Sequence, residues 1–186
     1  SQIGDLKAKD FIEVSSTDGL QEFFINIPRR KQRARNWREE FKACALIPEI
    51  GLAIRSLINE NNQKLHSIFP DLAQRITEEL PLFPDWKLLE AEQGSIAQYE
   101  MQEIFESQMF HSVTQDLSKR FTRIIDRLAV YSDRTETEKL ENVIPTRLRR
   151  TLATRAAREG YGIFVIAELL DHSDIQNAGV YTENVP

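Results

Sequence analysis

Cysteine is nearly absent from this chain. Cys44 stands alone among 186 residues, so no internal disulfide can form, and with only three histidines there is no Cys/His set at metal-ligand spacing. Long apolar runs are missing as well: none approaches the ~18 uncharged residues that a bilayer-spanning helix requires. The first residues carry neither the basic patch nor the apolar core of a secretion signal. With the lone cysteine, this leads us to expect a reducing, cytoplasmic setting and no membrane partner. Glycine-rich loops, internal repeats and low-complexity tracts are not found either, which removes nucleotide binding through a phosphate-cradling loop. The chain opens on Ser1 rather than methionine and continues at once in helix-like sequence, so we expect a piece of a longer protein.

What is present suffices for a folded core: 41% of residues are hydrophobic and 28% charged. At roughly 100–200 residues per domain, one domain is expected over 1–186. The formal net charge is -5, with 24 Lys and Arg against 29 Asp and Glu, which on average argues against a surface coated for nucleic acid. The charge is unevenly placed, however. Between Asp71 and Glu106 nine acids face only Arg75 and Lys87, while Arg29, Arg30, Lys31, Arg33, Arg35 and Arg38 run without an acid among them. A second basic set is Arg147, Arg149, Arg150, Arg155 and Arg158. Each set is either a solvated surface or a phosphate-facing one.

Periodicity predicts an α+β fold, mainly α-helical, with a small antiparallel three-stranded sheet. Residues 10–14 and 21–27 are rich in β-branched and aromatic types and flank a turn signal at Thr17-Asp18-Gly19, the pattern of a hairpin. A third strand is expected over Ala43–Ile47, closed by Pro48, which leaves residues 28–42 as a long, mobile, cationic connection. From Pro48, Ile50, Ile54, Leu57 and Ile58 recur at helical spacing behind a proline suited to the first helical turn. Pro70, Pro81 and Pro84 divide the next stretch into short pieces, and the acidic segment to about Gln108 reads as helical without a clear pattern. Leu117, Phe121, Ile124, Ile125 and Leu128 mark an amphipathic helix to about Tyr131, followed by a polar linker over 132–142. His66 and His111 sit in helical sequence without evident partners and read as structural.

The informative residues lie between 145 and 182. A helix starting at Pro145 or Thr146 is expected to bury Leu148 and Leu152 and to stop at Gly160. Arg149 then falls near the amino end, where unpaired N–H groups and partial positive charge already favour an anion that a guanidinium can grip bidentately. A second helix from about Tyr161 to Leu170 presents Ile163, Ile166 and Leu170 to the core and delivers His172 just past its end. Ser173 and Gln176 form a capping box for a third, about two turns long, with Tyr181 at its far end.

At this point the chain resembles the catalytic domain of the tyrosine recombinases, the phage-integrase family. That family pairs a His-x-Leu-Arg-His-Thr-like box with a later Leu-Gly-His and a tyrosine nine positions beyond that histidine. The corresponding stretches here are Thr146-Arg147-Leu148-Arg149-Arg150-Thr151, Leu170-Asp171-His172 and Val180-Tyr181-Thr182. By this resemblance Arg149 is similar to the second catalytic arginine, His172 to the His/Trp position and Tyr181 to the nucleophile. Lys31 looks like the lysine of the family's β-hairpin, with Arg30 close enough to compete for that role. Thr146 stands where the family usually has histidine, replacing a proton acceptor or phosphate ligand with an uncharged hydroxyl. Ser1-Gln2-Ile3-Gly4-Asp5-Leu6 looks like the rest of an Arg-x-Ser-Glu-Leu motif, so a first catalytic arginine is expected about two residues upstream. The resemblance is specific over 145–182, plausible over 1–58 and absent from 70–140.

The resemblance implies metal-free and cofactor-free cleavage of a phosphodiester, with double-stranded DNA as partner and a homo-oligomer, a tetrameric synapse, assembled on it. Arg29, Arg30, Arg33, Arg35, Arg147 and Arg150 would hold the DNA backbone. Two other readings share these residues: a nicking topoisomerase of the same tyrosine chemistry, and a DNA-binding protein on this fold that has lost activity, the latter motivated by Thr146 and the acidic balance.

Overall fold

A computed structural model describes residues 2–15, 19–29, 38, 40–70, 76–92, 103, 105, 107, 109–128, 143–170 and 178–179. The chain divides into two compact units, Ser1–Thr114 and Gln115–Pro186. Among the described residues no helix is long and apolar enough to cross a membrane.

The first unit is built on an antiparallel sheet in the order β1 (Phe11–Ser15), β2 (Gln21–Pro28), β3 (Phe41–Leu46). Two short 3-10 turns, Gln2–Asp5 and Ala8–Asp10, precede it. Alternation along β2 sends Phe23 and Ile25 into the core. Their cross-strand partners are Leu46 and Cys44 on β3, and Ile25 also pairs with Phe11 of β1. All three strands appear where β-branched and aromatic runs placed them, but β3 begins at Phe41 and ends at Leu46, two residues before and one residue before the expected bounds. The connection is correspondingly shorter, because the Arg29 N–H donates to the Glu40 carbonyl at 2.9 Å and carries the ladder one step past β2. Successive N–H groups alternate sides, so the donor that Pro28 lacks would point away from β3, where β1 has already ended at the Phe11–Ile25 pair. Proline is tolerated there for that reason.

Helix α1 (Pro48–Ile68) starts with its proline in the first turn, as expected, and packs on β2. Gly51 lets it approach: a Cβ there would sit 2.2 Å from the Phe23 ring. Ile54, Leu57 and Ile58 join Leu6, Ile25 and Leu82 in one cluster, whereas Ile50 stays exposed. The proline-broken stretch is threaded against the N-terminal turns, with Leu82 N–H donating to the Leu6 carbonyl and isolated bridges Lys7–Pro81 and Pro84–His111. It leads into α2 (Trp86–Ala91), whose amino end is capped by Asp85 accepting from the Lys87 and Leu88 amides at 3.2 Å each. A second cluster, Leu65, Ile76, Leu80, Leu89, Phe105 and Phe110, is fully buried.

In the second unit α3 (Thr114–Leu128) follows the expected periodicity; residues 129–142, with the expected last turn and linker, lie outside the described residues. Helix α4 (Pro145–Arg158) ends as predicted at Gly160, at φ +84°. Gly160 and Tyr161 N–H groups donate back to Ala157 and Ala156 carbonyls at 3.0 and 3.1 Å, satisfying the last turn. Helix α5 (Ile163–Leu169) follows. The core between them is Ala153, Ala156, Ile166, Ala167, Leu170 and Ala178, with Ile163 packed at its edge. One expectation is corrected: Leu148 and Leu152 are exposed, 49% and 48%. The inward face of α4 is Ala153 and Ala156, three residues apart. At 100° per residue the two leucines lie roughly 70° and 110° round from it. Alanines let two helix backbones come close, and the larger side chains are displaced to the flank.

Candidate active site

Arg149 is the described residue on which the site turns. The residue is exposed on α4, yet its guanidinium donates a partly buried hydrogen bond to the carbonyl of Leu170. That carbonyl belongs to the residue that terminates α5. A cation at a helix carboxyl end is worth about 0.3–1 kcal/mol, and a charge-assisted bond to an orphan carbonyl adds direction. The sequence expectation put this guanidinium at the amino end of its own helix. It reaches instead across to the end of the next, two residues before His172.

The third helical piece is represented by Ala178 and Gly179, both helical. Ala178 is completely buried in the α4–α5 cluster, and a Cβ on Gly179 would stand 3.7 Å from Ile163 Cδ1. One small core therefore holds Leu170, two residues before His172 in the sequence, and Ala178, three before Tyr181, and Arg149 bonds to it through the Leu170 carbonyl. His172 and Tyr181 themselves lie outside the described residues, as do Arg30, Lys31, Arg33 and Arg35. Thr146, Arg147 and Arg150 are exposed on the first two turns of α4. Arg29 is half-buried at the end of β2.

A model of the phage integrase family matches residues 90–186, just over half of the chain. The chain belongs to the phage integrase family. No curated protein and no solved structure matches it. Membership makes the chain a relative of the tyrosine recombinases and assigns it site-specific DNA recombination in general terms. The expectation that the resemblance is absent from 70–140 is corrected over 90–140: the match begins some fifty residues before the motifs, within the acidic segment.

In this phage integrase relative a buried polar network that sequence reasoning missed joins the N-terminal turns to residues on both sides of the start of the match. Lys7, 1% exposed, donates from Nζ to Glu79 at 2.7 Å and to the Phe105 carbonyl at 2.8 Å. Burial pushes its ammonium below the usual lysine range, although Glu79 opposes the shift. Burial alone would raise the Glu79 carboxyl, but hydrogen bonds from Lys7 and Lys9 outweigh it and hold Glu79 below its ordinary value. His111 donates from Nδ1 to the Gly4 carbonyl at 2.6 Å, and burial lowers its pKa. The expectation of a helical histidine without partners is corrected: His111 sits in an isolated bridge with Pro84 and has a hydrogen-bond partner 107 residues away. Arg38, counted by sequence among the phosphate-facing cations, donates to the Asp5 carbonyl at 2.8 Å and pairs with the buried Asp10 carboxylate. The acidic segment is thus partly structural: Glu79 neutralises two lysines, Asp85 caps α2, and Glu90 pairs with Lys64 at 2.9 Å.

Proposed function

We propose that residues 1–186 are the catalytic part of a site-specific recombinase or integrase of a mobile element. It cleaves and rejoins double-stranded DNA through a covalent 3′-phosphotyrosyl intermediate. The observation that carries this reading is the bond from the exposed Arg149 to the carbonyl of Leu170, a residue of the core that also seats Ala178, which supports a common scaffold for the chain positions leading to guanidinium, imidazole and phenol.

In this reading a backbone phosphate is gripped by Arg149 and His172, which neutralise its oxygens as charge builds in the pentacoordinate state. The Tyr181 oxygen attacks phosphorus, its proton passing to solvent. A P–O bond to tyrosine forms as the bond to the 5′-oxygen breaks, and Lys31 donates the proton that oxygen requires. One ester replaces another, so a second 5′-hydroxyl can reverse the step without an energy source, metal or cofactor. Thr146 contributes a hydrogen bond to the phosphate where a histidine would add a proton acceptor. Arg29, Arg30, Arg33, Arg35, Arg147 and Arg150 hold the DNA backbone, and copies of the protein assemble as a tetrameric synapse on DNA in the cytoplasm, at the nucleoid.

The test is a nicked suicide duplex carrying the target site, incubated with the full-length protein. A covalent adduct that disappears in Tyr181→Phe, with DNA binding retained, supports the reading. Intact binding without any adduct favours the regulatory DNA-binding protein. Nicking and religation of one duplex without exchange between two favours the topoisomerase.

A further inference from the structure

Of the six cations between Arg29 and Arg38, four are candidates for phosphate and Lys31 for the general acid; the sixth, Arg38, has been withdrawn from solvent. The Arg38 side chain is only 10% exposed, and its fork is divided between two acceptors on one short segment, the Asp5 carbonyl and the Asp10 carboxylate. Its guanidinium also lies 5.3 Å from the centre of the Phe41 ring, at the start of β3. Its backbone is in the left-handed region, φ 69°, which an arginine adopts only where surrounding bonds hold it.

The segment Arg38 grips is itself rigidly held. Asp10 is 3% exposed, and its second oxygen accepts from the Lys7 amide at 2.8 Å. The Lys7 side chain is fastened to Glu79 and Phe105, the Ala8 amide to the Leu80 carbonyl at 2.9 Å, and the Gly4 carbonyl to His111. The Arg29 to Glu40 bond closes the base of the connection from the strand side. An arginine devoted to DNA would keep its guanidinium accessible. This one joins the foot of the β2–β3 connection to the 3-10 turns that lead into β1.

We propose that Arg38 is a positioning residue: it anchors the base of the connection whose sequence carries Lys31, and so sets the reach of the general acid rather than touching DNA. The inference rests on the recombinase reading above. A general acid must come within 2.6–3.2 Å of the oxygen it protonates, and a displacement of 1 Å costs on the order of 100-fold. Lysine at position 38 could pair with Asp10 but has no planar fork to serve Asp5 as well.

The experiment compares covalent capture by full-length protein, Arg38→Ala and Arg38→Lys on two suicide duplexes, one ordinary and one with sulfur replacing the bridging 5′-oxygen. A thiolate leaves without a proton, so a defect in proton delivery vanishes on the sulfur duplex while a defect in phosphate contact or in folding does not. We expect Arg38→Ala to be about 10–100-fold slower on oxygen, within about 3-fold of the unaltered protein on sulfur, and unchanged in DNA affinity. Arg38→Lys should show the same split with a smaller loss, and it stands in if the alanine variant does not fold. Equal losses on both duplexes, or no loss on oxygen, would overturn the proposal. If the unaltered protein forms no adduct, the recombinase reading fails. The anchoring is then judged by hydrogen exchange at the Arg29 amide, expected about 10-fold faster in the variant; unchanged exchange overturns it.

Discussion

Both units have apolar cores, but they differ in the polar ties that join distant segments. In Ser1–Thr114 distant segments are bound by buried polar groups: Lys7 reaches 72 residues to Glu79 and 98 to Phe105, and His111 reaches 107 to Gly4. Among the described residues of Gln115–Pro186 the core is four alanines, one isoleucine and one leucine drawn from neighbouring helices, with Arg149 to Leu170 as a polar tie across 21 residues. A buried ion pair costs desolvation and is justified by the geometry it enforces, whereas an alanine seam permits close approach but contributes little burial. The first unit is therefore built to hold an N-terminal segment rigid. The second is built to place short helices, and the chain between them, at close quarters.

The contrast can be broken from the second unit. Arg149→Ala should lower covalent capture by about 100–1000-fold, as loss of a donor to developing phosphate charge does, while an unfolding midpoint moves little. A stability loss matching the activity loss would make Arg149 a purely structural tie. From the first unit, Lys7→Ala should cost about 2–4 kcal/mol in urea unfolding, toward the lower end because Glu79 is 23% exposed and keeps Lys9. Less than about 0.5 kcal/mol would mean the network is ornamental. Ala153→Leu should overpack the α4–α5 seam by about 1–3 kcal/mol and weaken the Arg149–Leu170 bond, whereas Leu152→Ala, at an exposed position, should cost about 0.5 kcal/mol or less. Reversal of that order would restore the leucine face as the inward one.

The smallest expected effect concerns pH. His111 is held below its ordinary pKa of 6.5 by burial, so the unfolded chain takes up a proton before the folded one does. Stability attributable to neutral His111 is complete above about pH 6.5 and declines as the pH falls below it. Glu79 acts only at lower pH, since its folded value is lowered and its contribution is lost as the pH falls through that value. Comparing unfolding at pH 7.5 and 5.5, the native chain should lose stability, and His111→Asn, which retains a donor near Gly4, should lose less. Equal pH slopes would remove His111 from the account.

Local rules made much of this readable. The strands followed from alternation and turn residues, α1 from its proline, and the end of α4 from Gly160. The inward face of α4 was not readable, because counting hydrophobic groups favours Leu148 and Leu152 while the distance between helix axes favours Ala153 and Ala156. Arg38 looked like one more surface cation because its partners Asp5 and Asp10 lie some thirty residues earlier. Lys7, Glu79 and His111 gave no local signal at all, since pairing across 72 to 107 residues is a property of the fold.

The central claim is that this chain's chemistry runs through one phenol. Its most direct test is to digest the trapped protein–DNA adduct with nuclease and protease and weigh the peptides. The account predicts a nucleotide mass on the peptide containing Tyr181, and on Tyr181 itself by fragmentation. A nucleotide on any other residue, or cleavage of the duplex with no peptide carrying one, would contradict it.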